Sequence, residues 1–166
     1  MGAPEESSSN KPLSGAPIFV IRPATPTDIP AVFSLERALA SAAHWPEASY
    51  NQIFAPGSPS RIALVLEDES HSLHGFVIAR LASGECELEN IAVSQNLQRA
   101  GAGTLLLQSL MVAVREREVQ SIHLEVRESN TAACALYVKC GFASTGRRAK
   151  YYSNPEEDAV LYSIQL

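Results

Sequence analysis

The stretch IAVSQNLQRAGAGT, residues 91–104, joins an apolar strand pattern to a long apolar helix pattern through two closely spaced glycines. Gly101 and Gly103 allow the backbone to turn tightly and to approach a ligand closely. The N–H groups at the start of the following helix would then point at an anion, which the helix dipole also favours. The loop therefore predicts a phosphate or pyrophosphate site, or else a strand-to-helix turn in which the glycines serve only the backbone.

Two better-known phosphate loops are excluded by the same residues. Leu106 stands where the third glycine of a Rossmann loop would be, and the chain contains no Gly-Lys-Ser/Thr tripeptide of the P-loop kind. An anion site at residues 98–104 would therefore belong to another class of loop.

Before the loop, the hydrophobic pattern predicts four strands and two helices. Strands are expected over residues 18–22, 61–67, 73–81 and 86–93. A helix capped by Thr27 is expected to run to about residue 41, with a stripe formed by Ile29, Val32, Phe33, Leu35, Glu36 and Leu39. A short helix over residues 46–54 follows the interruption at His44-Trp45-Pro46.

After the loop, helices and strands alternate. Helices are expected over residues 104–118 and 131–140, the second capped by Asn130 and ended by Gly141 in a left-handed conformation. Strands are expected over 121–126, 142–150 and 158–164. Strands in one group, followed by this alternation, predict an α/β fold with a single mixed sheet flanked by helices.

The composition disfavours several classes of function. The net charge is −5, from 13 Lys and Arg against 18 Asp and Glu, and this balance disfavours nucleic acid as a partner. No apolar run approaches the ~18 residues that span a membrane, and His and Cys show no metal-ligand spacing. We expect residues 1–17 to form a disordered tail and residues 18–166 to form one domain in a cytoplasmic monomer or homodimer.

The motifs resemble those of a known family. Gln98-x-x-Gly101-x-Gly103 matches the Q/R-x-x-G-x-G/A signature of the GNAT superfamily of acetyl-CoA-dependent N-acetyltransferases. The run LEVRxSN at residues 124–130, ALY at 135–137 and GF at 141–142 is similar to the RimI-like branch. Enzymes of this branch acetylate the N-terminal α-amine of ribosomal proteins and other polypeptides. The resemblance covers about residues 18–166 and implies a GNAT fold with a mostly antiparallel sheet.

The resemblance also implies roles for individual residues. Glu125 would be the general base, and Tyr137 would be the acid that protonates the leaving thiolate. Acetyl-CoA, released as CoA, would contact Ile91, Ala92, Val93, Gln98, Arg99, Ala100, Gly101, Ala102, Gly103, Thr104, Asn130 and Tyr137. The acceptor would contact Trp45, Glu89, Arg148, Tyr151 and Tyr152. The branch often has two adjacent arginines before the tyrosine pair, and here the second position is Ala149.

The chemistry of the acceptor follows from the pKa of its amine. An α-amine has a pKa near 7.7–8.0 and a lysine side chain has one near 10.4, and only the neutral form attacks. A single carboxylate base therefore suits an α-amine, since lysine would require about 3.4 kcal/mol more assistance at neutral pH. A tyrosine with a pKa near 10 can donate to a thiolate of similar basicity.

Each candidate residue also has a structural interpretation. Glu125 lies on the polar face of a strand, where a solvated carboxylate looks the same, and Tyr137 lies on an apolar helix face. Glu85, Glu87 and Glu89 share a strand face and could be merely exposed, attract a cationic substrate or supply another base. The acceptor could be a small amine instead of a protein N-terminus, and the fold could be a non-catalytic acetyl-CoA-binding module.

Overall fold

The computed structural model describes residues 17–166, so residues 1–16 of the predicted tail (1–17) lie outside the described residues. Its strands are β1 (Phe19–Pro23), β2 (Arg61–Asp68), β3 (Leu73–Ala82), β4 (Glu85–Val93), β5 (Ser121–Arg127), β6 (Ala143–Tyr152) and β7 (Glu157–Gln165). Its helices are α1 (Ile29–Arg37), α2 (Glu47–Gln52), α3 (Ala102–Arg115) and α4 (Thr131–Lys139), with short 3₁₀ turns at Pro26–Asp28 and Gln95–Leu97.

In the described residues, seven strands form one sheet in the order β1-β2-β3-β4-β5-β7-β6. Neighbouring strands are antiparallel except for β4 and β5, which are parallel. The exposed strand β6 forms one edge of the sheet. The prediction of a mixed, mostly antiparallel sheet flanked by helices is confirmed.

The helices cover the two faces of the sheet. On one face α3 buries Leu106, Leu107, Leu110 and Val114, which recur every three or four residues as a helical stripe must. Tyr137 of α4 joins the same core. On the other face α1 and α2 bury Val32 and Tyr50 against β2, β3 and the end of β4.

A β-bulge at Glu89 reverses the side-chain alternation of β4. The register moves from Ala79 opposite Leu88 to Ile78 opposite Asn90, so that Glu89 is the extra residue. Leu88 therefore packs in the core on the α3 side, whereas Ala92 packs in the core on the α1 side. Without the bulge, both residues would face the same way.

Four predicted boundaries of the two long helices were wrong. Thr25, not Thr27, begins the first turn, because its N–H bonds the Asp28 carboxylate at 2.7 Å. The first helix ends at Arg37, since the chain turns back to place the Trp45 N–H on Glu36. The glycine-loop helix begins at Ala102 because Gly101 takes the N-cap position at a φ of 89°, and it ends at Arg115.

The end of α4 matches its prediction. Asn130 Oδ1 accepts the N–H of Ala133 at the start of the helix. Gly141, at a φ of 95°, donates to the Val138 carbonyl, and Phe142 donates to the Tyr137 carbonyl, both at 3.0 Å. These two bonds form a Schellman motif, which requires the left-handed conformation of Gly141.

None of the helices in residues 17–166 combines the length and the apolarity that crossing a bilayer requires.

We expect Gly141→Ala to lower the free energy of unfolding by about 1–2 kcal/mol, the cost of a left-handed conformation for a residue with a Cβ. The added Cβ would also lie 3.3 Å from Ile164 Cδ1. Gly146→Ala is the control, because nothing lies within 4 Å of its Cβ position. It should change the same free energy by no more than about 0.5 kcal/mol in urea denaturation. Equal losses in the two variants would contradict this account of the helix end.

Candidate active site

Strands β4 and β5 separate after a short stretch of pairing. They pair at only three positions, from Glu85 opposite Ser121 to Glu87 opposite His123. Beyond this point a cleft of roughly 1060 Å³ opens between them. The cleft is lined by the loop after α1, by β4 and β5, by the start of α4 and by the turn between β6 and β7. Its predicted site residues are Trp45, Glu89, Ile91, Glu125, Asn130, Tyr137, Tyr151 and Tyr152.

The open side of β4 presents backbone groups to this gap. The Ser94 N–H bonds the His74 carbonyl of the β3 side at 2.8 Å. Because backbone groups alternate along an antiparallel pair, Ala92 turns its N–H and C=O toward β3, and Ile91 and Val93 turn theirs away. Ile91 and Val93 can therefore pair with an extended, amide-containing ligand arm. The predicted contact residue Ala92 does not face the gap.

The glycine loop lies just beyond the end of β4. Arg99 and Gly101 both have positive φ angles, of 63° and 89°. Helix α3 then begins without a side-chain cap, so the N–H groups of its first turn, from Ala102 to Thr104, have no side-chain acceptor. Such a turn of unsatisfied donors at the positive end of a helix dipole fits a pyrophosphate group.

Two further residues of the loop have structural contacts. The Gln98 amide Nε2 donates to the Val93 carbonyl at 3.1 Å and so closes the loop against the end of β4. At Gly103 a Cβ would lie 2.9 Å from Leu136 Cδ2, so this glycine lets α3 and α4 approach each other closely. Gly101 serves the turn itself, with nothing within 4 Å of its Cβ position.

Tyr137 lies where the core meets the cleft. Its side chain is 5% exposed and packs edge-on against Phe142, with ring centroids 5.7 Å apart. Burial raises the pKa of Tyr137, since the charged phenolate is disfavoured away from water. The hydroxyl therefore stays protonated at neutral and moderately alkaline pH.

Glu125 lies across the cleft on β5 and is partly exposed. Its Oε1 is 3.0 Å from Arg148 Nε of β6. A hydrogen bond to Glu125 raises the pKa of Tyr151, and burial raises the pKa of Tyr152 to about 12. The two neighbouring tyrosines therefore keep their hydroxyl protons at neutral pH.

A clamp orients the segment between β5 and α4. The Glu157 carboxylate accepts the Ser129 N–H and lies 3.1 Å from the Arg127 guanidinium. Arg127 in turn covers the ring of Tyr152 at 4.4 Å. This clamp places the cap residue Asn130, and through it the helix that carries Tyr137. Arg127 and Glu157 were missed from the sequence, where they are 30 residues apart.

The acidic residues of β4 are engaged in ion pairs. Glu89, predicted to bind the acceptor, is held by Arg61 at 2.7 Å. Glu87 pairs with Arg80, and Glu85 lies 3.8 Å from His123. Glu87 and Glu89 are therefore each paired with an arginine, and they do not form an unpaired acidic surface on β4.

A buried polar network beneath the cleft was also missed. Glu36 is fully buried and accepts hydrogen bonds from the Trp45 N–H and from Asn90 Nδ2. A signal was present in the sequence, since Glu36 interrupts the apolar stripe of α1 with a carboxylate. Its partner Asn90 could not be identified, because the bulge at Glu89 decides which way Asn90 faces.

The fold and the site together define an N-acetyltransferase. The sequence pattern of the Acetyltransferase (GNAT) family matches residues 29–142, and the chain belongs to this family. It is an acetyl-CoA-dependent enzyme, as GNAT acetyltransferases are.

Similar proteins indicate which branch of the family this chain resembles. The ribosomal protein bS18-alanine N-acetyltransferase of Escherichia coli K12 is 34% identical over 142 residues, 84% of this chain and 93% of that protein. The crystal structure of the Escherichia coli ribosomal-protein-S18-alanine N-acetyltransferase superposes with a TM-score of 0.78 at 30% identity, covering 89% of this chain and 94% of that one. Ard1 from Thermoplasma volcanium gives a TM-score of 0.76 at 25% identity, covering 89% and 97%. The chain is thus RimI-like within the family.

We expect Gly101→Asp to weaken CoA binding at least 100-fold, because a carboxylate would face the pyrophosphate at the start of α3. Gly84→Asp is the matched control, since Gly84 also has a positive φ and open space at its Cβ position but lies in the turn between β3 and β4. It should leave the affinity within twofold in calorimetric titration with CoA. Equal affinities for the two variants would contradict the placement of the pyrophosphate.

Proposed function

We propose that this enzyme transfers the acetyl group of acetyl-CoA to the N-terminal α-amine of a protein, with a ribosomal protein as the first candidate. The observation that carries the proposal is that the cleft between β4 and β5 continues into a second space, where the acceptor would lie. Past Glu87 and Glu125, which line both spaces, the cleft continues into a groove of roughly 320 Å³. This groove crosses β4, β5, β7 and β6 and gives a polypeptide room to leave the site.

The groove combines polar and apolar groups. Arg80, His123, Thr145 and Arg148 line it together with the two shared glutamates, and Leu124, Leu161 and Tyr162 add apolar surface. A small amine would be held by a closed pocket, whereas a polypeptide needs an exit lined by groups that can bond its backbone. The similar bacterial enzymes are named for acetylation of an alanine of ribosomal protein bS18, and this supports a protein as the acceptor.

Residues of this chain would hold the pyrophosphate, the pantetheine arm and the thioester of acetyl-CoA. The cosubstrate supplies the acetyl group as a thioester, whose sulfur leaves as a thiolate. The first turn of α3 and the residues from Arg99 to Thr104 would hold its pyrophosphate, and the backbone of Ile91 and Val93 would pair with its pantetheine arm. The Val93 N–H would also polarise the thioester carbonyl. Alignment of the two reactants could itself contribute as much as ~7–11 kcal/mol to catalysis.

Glu125 acts as the general base, directly or through a water molecule. It accepts the proton that the attacking nitrogen loses as the carbon–nitrogen bond forms. Arg148 and Tyr151 contact the carboxylate from the β6 side, and Glu125 lines the cleft. The modest pKa of an α-amine makes one carboxylate sufficient for this step.

Tyr137 acts as the general acid. It donates its hydroxyl proton to the sulfur as the carbon–sulfur bond breaks. Burial raises its pKa, so the hydroxyl keeps its proton at neutral pH and has it available when the thiolate leaves. Burial against Phe142 and Tyr162 also fixes the direction of the ring.

The acceptor class is tested with three sets of amines. One set contains peptides with a free N-terminus, including an N-terminal alanine, and the second contains N-blocked peptides of the same sequence with a lysine. The third is a panel of polyamines. We expect thiol release from acetyl-CoA with the first set alone. Turnover confined to the polyamines, or binding of acetyl-CoA without turnover of any amine, would overturn the proposal.

Tyr137→Phe should lower kcat about 100-fold or more, the usual scale of general acid–base catalysis, with the dissociation constant for acetyl-CoA within twofold. The acid acts in its protonated form, and a raised pKa moves the loss of that proton to higher pH. In the unmodified enzyme, kcat should therefore not fall between pH 7 and 9.5. Unchanged turnover in Tyr137→Phe, or a fall of kcat near pH 8 that this variant abolishes, would remove the assigned role.

A further inference from the structure

The carboxylate of Glu36 is buried beneath the acceptor side of the cleft and is only half satisfied. Its side chain, at 0% exposure, lies in the last turn of α1. Oε1 accepts the Trp45 N–H at 3.2 Å and Asn90 Nδ2 at 2.9 Å. Oε2 has no hydrogen-bond partner among the described residues.

The network joins three elements and one loop. Asn90 of β4 also donates to the Tyr50 hydroxyl of α2 at 3.1 Å. Tyr50 is fully buried. Burial is the main reason why its pKa is raised, and the neighbouring Glu36 raises it further. The Tyr50 ring lies against the indole of Trp45, with centroids 5.4 Å apart. Trp45 is thus held by its N–H and by its ring from the same network.

Stability alone does not account for this carboxylate. Glu36 occupies the same helix face as Val32 and Leu39, in a core that would accommodate an apolar residue. A buried polar group that is left half satisfied is commonly less favourable than an apolar side chain of similar volume. A local feature that opposes stability is expected where it serves a site.

The network lies directly behind one wall of the cleft. Residues 40–45 line the cleft on the side opposite the turn between β6 and β7, and Asn90 lines it from β4. The segment 38–46 joins the end of α1 at Arg37 to the start of α2 at Glu47. Besides the contacts of Glu36, the Trp45 carbonyl accepts a long hydrogen bond of 3.3 Å from the exposed Arg37.

We propose that Glu36 is a positioning residue for the acceptor: through Asn90, Tyr50 and the Trp45 N–H it fixes residues 40–45 as the wall against which the first residues of the acceptor polypeptide bind. The inference rests on the proposed function, because it needs an acceptor in this part of the cleft. The bulge at Glu89 makes the arrangement possible by turning Asn90 toward α1. Glu36 does not touch the reacting atoms.

The chain contains a built-in reporter for this wall, because Trp45 is its one tryptophan. The test compares Glu36→Met, Glu36→Gln and the control Glu116→Met, which removes an exposed carboxylate at the end of α3. For each variant, KM is measured for a free-N-terminus peptide and for acetyl-CoA. The emission maximum of Trp45 and its quenching by acrylamide are measured in the folded protein without substrate.

Glu36→Met should raise KM for the peptide at least tenfold, leave KM for acetyl-CoA within twofold, and make Trp45 emission red-shifted and more easily quenched. Glu36→Gln keeps an oxygen that can accept from both donors and should stay within threefold of the unmodified enzyme in each measurement. Glu116→Met should match the unmodified enzyme. A folded Glu36→Met with unchanged peptide KM and unchanged Trp45 emission would overturn the proposal, even if its melting temperature were lower.

Tyr50→Phe provides a second test should Glu36→Met not fold. It removes only the hydroxyl that accepts from Asn90, and we expect a rise in peptide KM of about threefold with a smaller change in Trp45 quenching. No change in either would refute the network's role. Failure of the proposed function would look different: the unmodified enzyme would not acetylate the peptide, while the Trp45 measurements would still report whether Glu36 holds the loop.

Discussion

The separation of β4 from β5 is the constraint on which the site depends. Two parallel strands that begin as paired neighbours part after Glu87, and their free backbone edges and side chains then face a common space. The bulge at Glu89 bends β4 at this point and reverses its faces. The same local irregularity thus opens the cleft, directs the backbone of Ile91 and Val93 toward it and turns Asn90 toward Glu36.

The two faces of the sheet suit different reactants. The α3 side supplies unsatisfied N–H groups and a buried tyrosine, both suited to a phosphate-bearing thioester. The α1 side supplies carboxylates, aromatic rings and an open groove, which suit an amine on a polypeptide. Glu125 and Tyr137 lie where the two sides meet, and this position explains why one is partly exposed and the other buried.

Local sequence patterns predicted most of the elements and the loop, because the apolar stripe of α3 and the cap residues Asn130 and Gly141 act over a few residues. They could not predict contacts that depend on strand register. Arg148 reaches Glu125 across the intervening strand β7, and Asn90 meets Glu36 from 54 residues away. The bulge at Glu89 has no marker in composition or spacing, so the direction of Asn90 becomes visible only in the folded sheet.

Strand β6 leaves its outer edge open beside the acceptor groove, with almost every residue exposed. An open edge can recruit a strand from another molecule, and charged side chains along the edge oppose this. Arg147, Arg148 and Lys150 of β6 pair with Glu128, Glu125 and Glu156. A partner strand would have to disturb these ion pairs before it could add to the edge. The enzyme can therefore keep a free strand next to a peptide-sized groove without that strand becoming a point of self-association and aggregation.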